Sequence, residues 1–356
     1  MVNPFKFGSV VDNDFFTDRV TETEEVSTIL SSHNHLILIS PRRFGKTSLI
    51  NKATNLLNRP VVCLDLQLIT DVSDLATQLL KKVLKIDRWE NIKHLLANFR
   101  IVPTIQLNPL TNNIEVAFFP TTSSNFTPLE DVLNLIEKIG STGKKPIVVF
   151  DEFQEVISLS KTLSKQMRAT MQHHKHINYV FLGSMESMMR SIFETKKSPF
   201  YHFGSLMTLS KIPYNDFFDY LQTRLESVTD KSNEIATQIL HFTAQHPYYT
   251  QQLAFYCWNF LEKNKYKQTM LDEVISNIVR IHDTDFERLW STMSKTDKKI
   301  LIAIAMQEKI STLPQPTSTT YSGLKRLVTQ GYLIKNEHFE LDDPFFRQWI
   351  IQKRNI

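Results

Sequence analysis

Short apolar runs alternate with stretches of helical periodicity along the first part of the chain, and this alternation restricts the fold more than any other feature. The apolar runs are His35–Ile39, Val61–Asp65, Pro146–Phe150, Asn178–Gly183 and Leu206–Leu209. The segments between them have apolar residues every three or four positions, which is typical of helices. Strands that alternate with helices form parallel sheets with right-handed crossovers. The sequence therefore predicts an α/β domain at residues 1–210, built on five parallel strands.

The loop after the first strand, Ser40–Ser48, has the sequence SPRRFGKTS and is followed by a helical stretch. In this context the N–H groups of the loop and of the helix start form an anion-binding concavity. We expect Lys46 to reach the β- and γ-phosphates of a nucleotide and Thr47 to bind Mg²⁺. Gly45 allows the backbone to approach the phosphates, while Ser40 replaces the first glycine of the usual P-loop pattern. The candidate nucleotide-binding residues of this loop are Pro41, Arg42, Arg43, Phe44, Gly45, Lys46, Thr47 and Ser48.

The apolar run Pro146–Phe150 leads directly into two acidic residues, Asp151 and Glu152. A carboxylate pair at the end of a buried strand is costly unless a cation neutralises it. Together with the upstream loop, the pair predicts a Walker B arrangement in which Asp151 binds Mg²⁺ and Glu152 polarises the attacking water as general base. The two motifs therefore predict a site for ATP or ADP with Mg²⁺.

Ser184 follows the predicted strand Asn178–Gly183. One role for it is to orient the attacking water or to contact the γ-phosphate. Another is to cap the helix that begins near Met185, which favours the same residue type. The sequence does not separate these roles, and both can coexist. Ser184 therefore joins Glu152 and Lys46 as a candidate catalytic residue.

Three further segments depart from the strand–helix alternation. Residues 88–125 contain two alternating stretches, Ile101–Leu107 and Ile114–Phe119, which predict a β-hairpin inserted into the first domain. Residues 211–285 have helical periodicity throughout, which predicts a small helical lid. Residues 286–356 contain two helical stretches followed by two short strand candidates, which is the outline of a winged helix.

Composition excludes several classes of protein. The formal net charge is only +4, so a nucleic acid could be contacted only through a local patch. Lys325 and Arg326, on the second helix of the predicted winged helix, are the candidates for phosphate contacts, although a solvated helix face is the simpler interpretation. The two cysteines cannot build a disulfide framework or a four-ligand zinc site. Because neither a signal peptide nor a membrane span is evident, we expect a cytoplasmic protein without a membrane partner.

With these residues in view, the chain resembles the prokaryotic family of P-loop ATPases described as predominantly archaeal. This family lies in the STAND branch near the AAA+ proteins, and the chain is most similar to its bacterial members, which occur in Bacteroidetes. The loop at residues 41–48 carries the resemblance most specifically. Further segments that look like family motifs are Asn3–Gly8, Phe16–Arg19, Phe150–Gln154, Leu182–Ser184, His246–Tyr249 and Asp343–Phe346. Replacement of the leading loop glycine is not unusual in such relatives.

The resemblance implies an AAA+-like core, a helical lid and a C-terminal winged helix, with ATP binding and slow hydrolysis used as a switch. It also implies that His246 and Pro247 form a lid motif that senses the nucleotide, whereas spacing alone favours a structural histidine at a helix start. The lead-in that contains Phe5 and Arg19 can wrap an adenine, although an ordinary extended segment explains it as well.

Three functions are compatible with these observations. The first is a nucleotide-driven conformational switch with an unidentified protein partner. The alternative is a DNA-binding ATPase that places its winged helix on duplex DNA. The third is a non-hydrolysing pseudo-ATPase, because Ser40 departs from the loop pattern and His202–Ser205 lacks the Gly-Arg pair of many relatives. Arg190 is then the nearest source of an arginine finger. The sequence leaves open whether the chain forms homo-oligomers and whether the hairpin at 101–119 is a docking surface.

Overall fold

The computed structural model describes residues 2–9, 19–86, 89–107, 114–118, 126–314, 316–335 and 338–354. The chain forms two compact units. The sheet unit comprises Val20–Ser40 and Leu49–Leu209, and the helical unit comprises Met1–Arg19, Pro41–Ser48 and Ser210–Ile356. The predicted phosphate-binding loop at residues 41–48 therefore groups with the C-terminal helices.

Strands and helices of the sheet unit follow one another much as the sequence predicts. The strands are β1 Leu36–Ile39, β2 Val61–Asp65, β3 Thr104–Leu107, β4 Ile114–Ala117, β5 Ile147–Asp151, β6 Asn178–Gly183 and β7 Ser205–Thr208. The helices are α1 Val20–Ser31, α2 Lys46–Leu57, α3 Val72–Val83, α4 Trp89–Leu96, α5 Thr127–Thr142, α6 Val156–Leu159, α7 Leu163–Met171 and α8 Glu186–Phe193. The first turn of α2 belongs to the helical unit, and the rest of that helix belongs to the sheet unit.

Five parallel strands form the main sheet, in the order β2-β5-β6-β1-β7. This confirms the predicted parallel sheet. Every residue of β1 and of β6 is buried, which explains why both strands are continuous apolar runs rather than alternating ones. Because β6 lies between β5 and β1, the carboxyl ends of these three strands meet at one edge of the sheet. Asp151, Ser184 and Ser40 all lie at or just after those ends.

The predicted hairpin insert is confirmed in its strands, since β3 and β4 pair in antiparallel orientation with Thr104 opposite Ala117. Its turn at residues 108–113 lies outside the described part of the chain. Just before β3, Arg100 binds Asp131 of α5 through its backbone N, its Nε and its Nη2, at 2.9, 2.9 and 2.7 Å. The carboxylate of Asp131 is almost fully buried, whereas Arg100 is half-exposed. This ion pair attaches the segment just before β3 to α5.

We expect Arg100→Met to lower the free energy of unfolding by about 1–2 kcal/mol. The substitution keeps an aliphatic side chain but removes the charged donors from the buried Asp131 carboxylate, and solvent around Arg100 limits the loss. Urea denaturation would measure the change. Arg288→Met, at an exposed arginine of the helical unit, is the control and should stay within about 0.5 kcal/mol of wild type. Equal losses in the two variants would show that the Arg100 contact stabilises nothing.

The helical unit matches the predicted order of elements. Its helices are α9 Tyr214–Leu225, α10 Ser232–Thr243, α11 Pro247–Lys263, α12 Met270–Ile281, α13 Asp283–Thr292, α14 Lys295–Ala305, α15 Thr317–Thr329 and α16 Pro344–Arg354. Residues 211–285, all of which the structure describes, contain no strand. The short strands β8 Leu333–Lys335 and β9 Phe339–Leu341 pair in antiparallel orientation after α15. The assignment of α14, α15 and this pair to a winged helix stays a prediction.

Arg326 of α15, predicted as a phosphate contact for DNA, is engaged within the unit. Its Nη2 donates to Asp297 Oδ1 at 2.6 Å and its Nε donates to Asp297 Oδ2 at 3.3 Å. Asp297 is buried and closes a capping box with Ser294 at the start of α14. Burial alone would raise the pKa of Asp297, but hydrogen bonds from Arg326 and Ser294 lower it below its ordinary value. Arg326 therefore ties α15 to α14, whereas Lys325 is exposed.

Candidate functional site

The predicted phosphate-binding loop, in the helical unit, has backbone conformations that suit its sequence. Gly45 has φ +88° and Arg43 has φ 63°, so both lie in the left-handed region. Glycine adopts this region freely, whereas a residue with a side chain does so at a cost of roughly 1 kcal/mol or more. Lys46, the first residue of α2, is only 7% exposed, and its Nζ donates to the Pro41 carbonyl at 3.3 Å. An ammonium group that closes the loop in this way is well placed to exchange a carbonyl for phosphate oxygens.

Side chains of the same loop contact the start of α11. Arg43 Nη1 donates to Tyr249 Oη at 3.0 Å, and Arg43 Cζ lies 4.6 Å from the centroid of the Tyr248 ring. The rings of Phe44 and His246 meet edge to face at a centroid distance of 4.9 Å. The loop predicted to bind phosphate and the motif predicted to sense nucleotide are therefore in direct contact.

His246 is the N-cap of α11, and Pro247 is its first residue. The Nδ1 atom of His246 accepts the backbone N–H of Tyr248 at 3.2 Å, which places the proton of a neutral imidazole on Nε2. Nε2 lies 3.3 Å from Asp342 Oδ1 but lacks hydrogen-bond geometry there, and it makes no hydrogen bond to the described residues. The capping role expected from spacing is thus present. The nucleotide-sensing role stays a prediction.

The lead-in residues have packing contacts in the helical unit. Phe5 is 2% exposed and packs edge to face on Tyr220 of α9 at 6.1 Å between ring centroids. Asn3 Oδ1 accepts the backbone N–H of Phe5, while its Nδ2 donates to the Phe255 carbonyl. Arg19 is buried, with φ 62°, and its Nη2 donates to the Ser210 carbonyl at 2.7 Å. The predicted contacts of Phe5 and Arg19 with an adenine remain predictions. The motif residues Phe16 and Asp18 lie outside the described residues.

In the sheet unit, the two candidate catalytic residues Glu152 and Ser184 are joined. Glu152 Oε2 accepts hydrogen bonds from Ser184 Oγ at 2.7 Å and from Ser184 N at 3.2 Å. Gln154 Nε2 donates to the same oxygen at 2.6 Å. Glu152 itself has a left-handed backbone with φ 50°, and its N–H donates to Asp151 Oδ1 at 2.9 Å. A strained backbone and several convergent donors hold this carboxylate in one orientation.

Ser184 does not cap helix α8. Helix α8 begins at Glu186, and its N-cap, Met185, makes no side-chain capping bond. The Ser184 hydroxyl instead donates to Glu152. Its predicted role toward the attacking water or the γ-phosphate stays a prediction.

Gln154 is a site residue that the sequence analysis did not identify. Its side chain is almost fully buried, and it shares Glu152 Oε2 with Ser184. A Cβ on Gly183 would lie 2.7 Å from Gln154 Oε1 and 2.3 Å from Met189 Cγ, so Gly183 leaves room for this amide. The available signal was the segment Phe150–Gln154, which resembles a family motif, but that segment assigned no role to the glutamine.

The residues predicted to hold Mg²⁺ have the right donor chemistry. The Thr47 hydroxyl and the Asp151 carboxylate are hard oxygen donors, and both residues are half-buried. Across the described ranges, no group of three or more His, Cys, Asp or Glu side chains could form a metal site. That Thr47 and Asp151 hold Mg²⁺ stays a prediction.

Solved structures share the fold of this chain. The Walker-type ATPase PABY2304 of Pyrococcus abyssi superimposes with a TM-score of 0.66 at 16% sequence identity, covering 95% of this chain and 97% of that one. The ORC2 protein of Aeropyrum pernix, in its ADPNP-ADP complexes, gives 0.51 at 14% identity and 99% coverage of both chains. A RuvB mutant of Thermotoga maritima gives 0.51 at 12% identity, covering 94% and 95%. These likenesses establish a P-loop ATPase fold with a helical C-terminal part.

Sequence comparisons identify the family. No curated protein sequence matches the chain. The family of ATPase domains predominantly from Archaea matches residues 16–253, which is more than half of the chain and includes the phosphate-binding loop, Asp151, Glu152 and Ser184. This match confirms the resemblance based on the motifs. The chain therefore belongs to the family of ATPase domains found predominantly in Archaea.

Proposed function

We propose that this protein binds ATP with Mg²⁺ through its phosphate-binding loop, hydrolyses it slowly with Glu152 as general base, and uses the nucleotide state as a conformational switch. The arrangement of the Glu152 carboxylate carries the proposal. It follows the buried strand β5, it is held by Ser184 and Gln154, and strands β6 and β1 end at the same edge of the sheet. In the chain, β1 runs directly into the phosphate-binding loop.

The proposed chemistry assigns one task to each residue. Lys46 and the loop N–H groups bind the β- and γ-phosphates, with Arg42, Phe44 and Ser48 as flanking loop residues. Thr47 and Asp151 hold Mg²⁺, which neutralises charge that develops on the phosphate oxygens. Glu152 accepts the proton of the attacking water, and Ser184 keeps the carboxylate aimed.

The proposed slow turnover follows from the surroundings of the candidate arginine finger. An arginine finger contributes roughly 10³–10⁵ in rate, and the candidate Arg190 pairs with Glu186 and Glu194 on its own helix. A partner that supplies an arginine would raise the rate.

Contacts in the helical unit support a switch. Arg43 and Phe44 of the loop touch Tyr249 and His246 of α11. A change in the loop on loss of the γ-phosphate would therefore act directly on the lid helix.

We expect Ser184→Ala to reduce kcat for ATP hydrolysis about tenfold and to leave the ATP dissociation constant within about twofold of wild type. The Glu152 carboxylate loses a 2.7 Å donor that orients it, while the phosphate-binding loop is untouched. Steady-state phosphate release and equilibrium ATP titration measure the two quantities. Ser158→Ala, at an exposed serine on α6, is the control. An unchanged kcat in Ser184→Ala would remove Ser184 from the catalytic machinery.

The contacts of Arg326 and Lys325 determine which variant can test the DNA-binding alternative. A glutamate at Arg326 would face the buried Asp297 and disrupt the α14–α15 contact, so it cannot report on DNA alone. Lys325→Glu is the better variant, because Lys325 is exposed. Salt-dependent binding of duplex DNA that weakens in this variant would favour the DNA-binding ATPase. Among the described residues, no helix is long and apolar enough to cross a bilayer.

The experiment that tests the proposed function is ATP binding and turnover by the purified protein, with and without duplex DNA. Binding with slow, DNA-indifferent turnover supports the switch with a protein partner. Binding without any Glu152-dependent turnover would instead indicate a pseudo-ATPase, and absence of binding would overturn the proposal.

A further inference from the structure

A chain of contacts in the helical unit links the phosphate-binding loop to the start of α16. It begins at Arg43, whose Nη1 donates to Tyr249 Oη at 3.0 Å and whose Cζ lies 5.8 Å from the Tyr249 ring centroid. Tyr249 lies in the first turn of α11, directly after the segment His246–Tyr248. Its hydroxyl thus accepts a charged donor from the loop.

The same hydroxyl has a second partner, the carboxylate of Asp343, with which it forms a hydrogen bond. Asp343 Oδ1 also accepts the backbone N–H groups of Phe345 at 2.8 Å and Phe346 at 3.1 Å, at the beginning of α16. The Tyr249 hydroxyl accepts from Arg43 and donates to Asp343, so one oxygen atom joins the loop to the C-terminal helix.

Burial keeps this link intact. It raises the pKa of Tyr249 well above its ordinary value, so the hydroxyl remains protonated and continues to donate. The ring of Tyr249 packs on His246 at 4.5 Å and on Phe345 at 6.0 Å between centroids. The hydroxyl is therefore held in place by the ring, independently of its two polar partners.

Arg43 has a backbone conformation that its surroundings must stabilise. Its φ of 63° lies in the left-handed region, which a residue with a side chain adopts only when its surroundings impose it. It stands two positions before Gly45, which is also left-handed, and three before Lys46. A shift of the Arg43 side chain would thus change the backbone that presents N–H groups and Lys46 to a phosphate.

We propose that Tyr249 and Asp343 are positioning residues that hold Arg43, and through it the phosphate-binding loop, in the conformation that binds nucleotide. The inference rests on the proposed binding of ATP at this loop. It adds that docking of the first turn of α16 and nucleotide binding stabilise each other, because any coupling between two sites is reciprocal. The C-terminal segment is then part of the nucleotide switch rather than an appended module.

The test is a comparison of tyrosine variants that keep the aromatic ring. Tyr249→Phe removes the hydroxyl that joins Arg43 to Asp343, and it should weaken ATP binding about five- to tenfold, because Arg43 is partly exposed to water. Tyr248→Phe keeps the ring that contacts Arg43 and should stay within about twofold of wild type. Asp343→Asn should also weaken ATP binding. In each variant kcat at saturating ATP should change less than ATP affinity, since the general base is not touched.

A double-mutant cycle separates positioning from mere stability. If Tyr249 acts through Arg43, then Tyr249→Phe should have little further effect on ATP affinity in an Arg43→Met background. Fully additive losses, or a lowered melting temperature with unchanged ATP affinity in Tyr249→Phe, would overturn the inference. A wild-type protein that binds no ATP would overturn the proposed function together with this inference. Normal wild-type binding with unaffected variants would overturn this inference alone.

Discussion

Glu152→Gln should retain ATP binding and reduce turnover about 100- to 10,000-fold, the range that a positioned general base contributes. The substitution removes the basic carboxylate but keeps an amide oxygen that can still accept from Ser184 and Gln154. The local structure should therefore survive, including the left-handed backbone at Glu152. Single-turnover hydrolysis at saturating enzyme would measure the chemical step separately from product release.

Glu155→Gln provides a matched control for this variant. Glu155 lies three positions further along, in the short helical turn after β5, and its side chain accepts a hydrogen bond from the nearby Ser158 hydroxyl at 3.4 Å. The Glu155→Gln variant should hydrolyse ATP at the wild-type rate. Equal turnover in Glu152→Gln and wild type would show that another group activates the water, and the assignment of Glu152 would then be wrong.

The strands of the sheet could be predicted because burial on both faces forces each of them to be a continuous apolar run. Asn178–Gly183 is such a run, and its observed bounds match the predicted ones. The order of the strands was not predictable from these runs alone. In the structure β6 lies between β5 and β1, a pairing that depends on contacts between segments far apart in the sequence.

Candidate site residues could be named wherever the residues of a motif are neighbours in sequence. Lys46 and Thr47 open a helix after a loop, and Asp151 and Glu152 follow an apolar run, so the local sequence is enough to propose them. Gln154 was missed because its contact with Glu152 Oε2 is shared with Ser184, a residue thirty positions away that follows another strand. The spacing of apolar residues near Gln154 does not predict this long-range contact.

Long-range contacts also explain why the surroundings of some residues could not be predicted from the sequence. Arg326 was chosen as a phosphate contact because it is a basic residue on a predicted recognition helix. Its carboxylate partner Asp297 lies on another helix and could not be foreseen. The same is true of Arg43 and Tyr249, which are far apart in sequence yet joined by a 3.0 Å hydrogen bond.

Lys46→Ala should weaken ATP binding at least about 100-fold. In the proposed site, Lys46 donates charge-assisted hydrogen bonds to phosphate oxygens. Each is worth roughly 1.5–3 kcal/mol, and about 1.4 kcal/mol corresponds to a factor of ten in affinity. Lys46 is almost fully buried, and its ammonium group donates to the Pro41 carbonyl of the loop. In the alanine variant, water would therefore replace the ammonium group poorly. Equilibrium titration with a fluorescent ATP analogue would measure the loss, and thermal unfolding would verify that the variant remains folded.

Lys161→Ala, at an exposed lysine of the sheet unit, removes the same charge elsewhere and should bind ATP normally. This control matters because the chain is mildly basic, and ATP could associate with any lysine-rich surface at low salt. If Lys46→Ala loses affinity while Lys161→Ala does not, the ammonium group at the start of α2 is specifically required. If both variants bind ATP as tightly as wild type, nucleotide is held elsewhere and the loop has another role. If both lose affinity equally, the interaction is a general attraction between charges, which would remove the structural basis for the proposed switch.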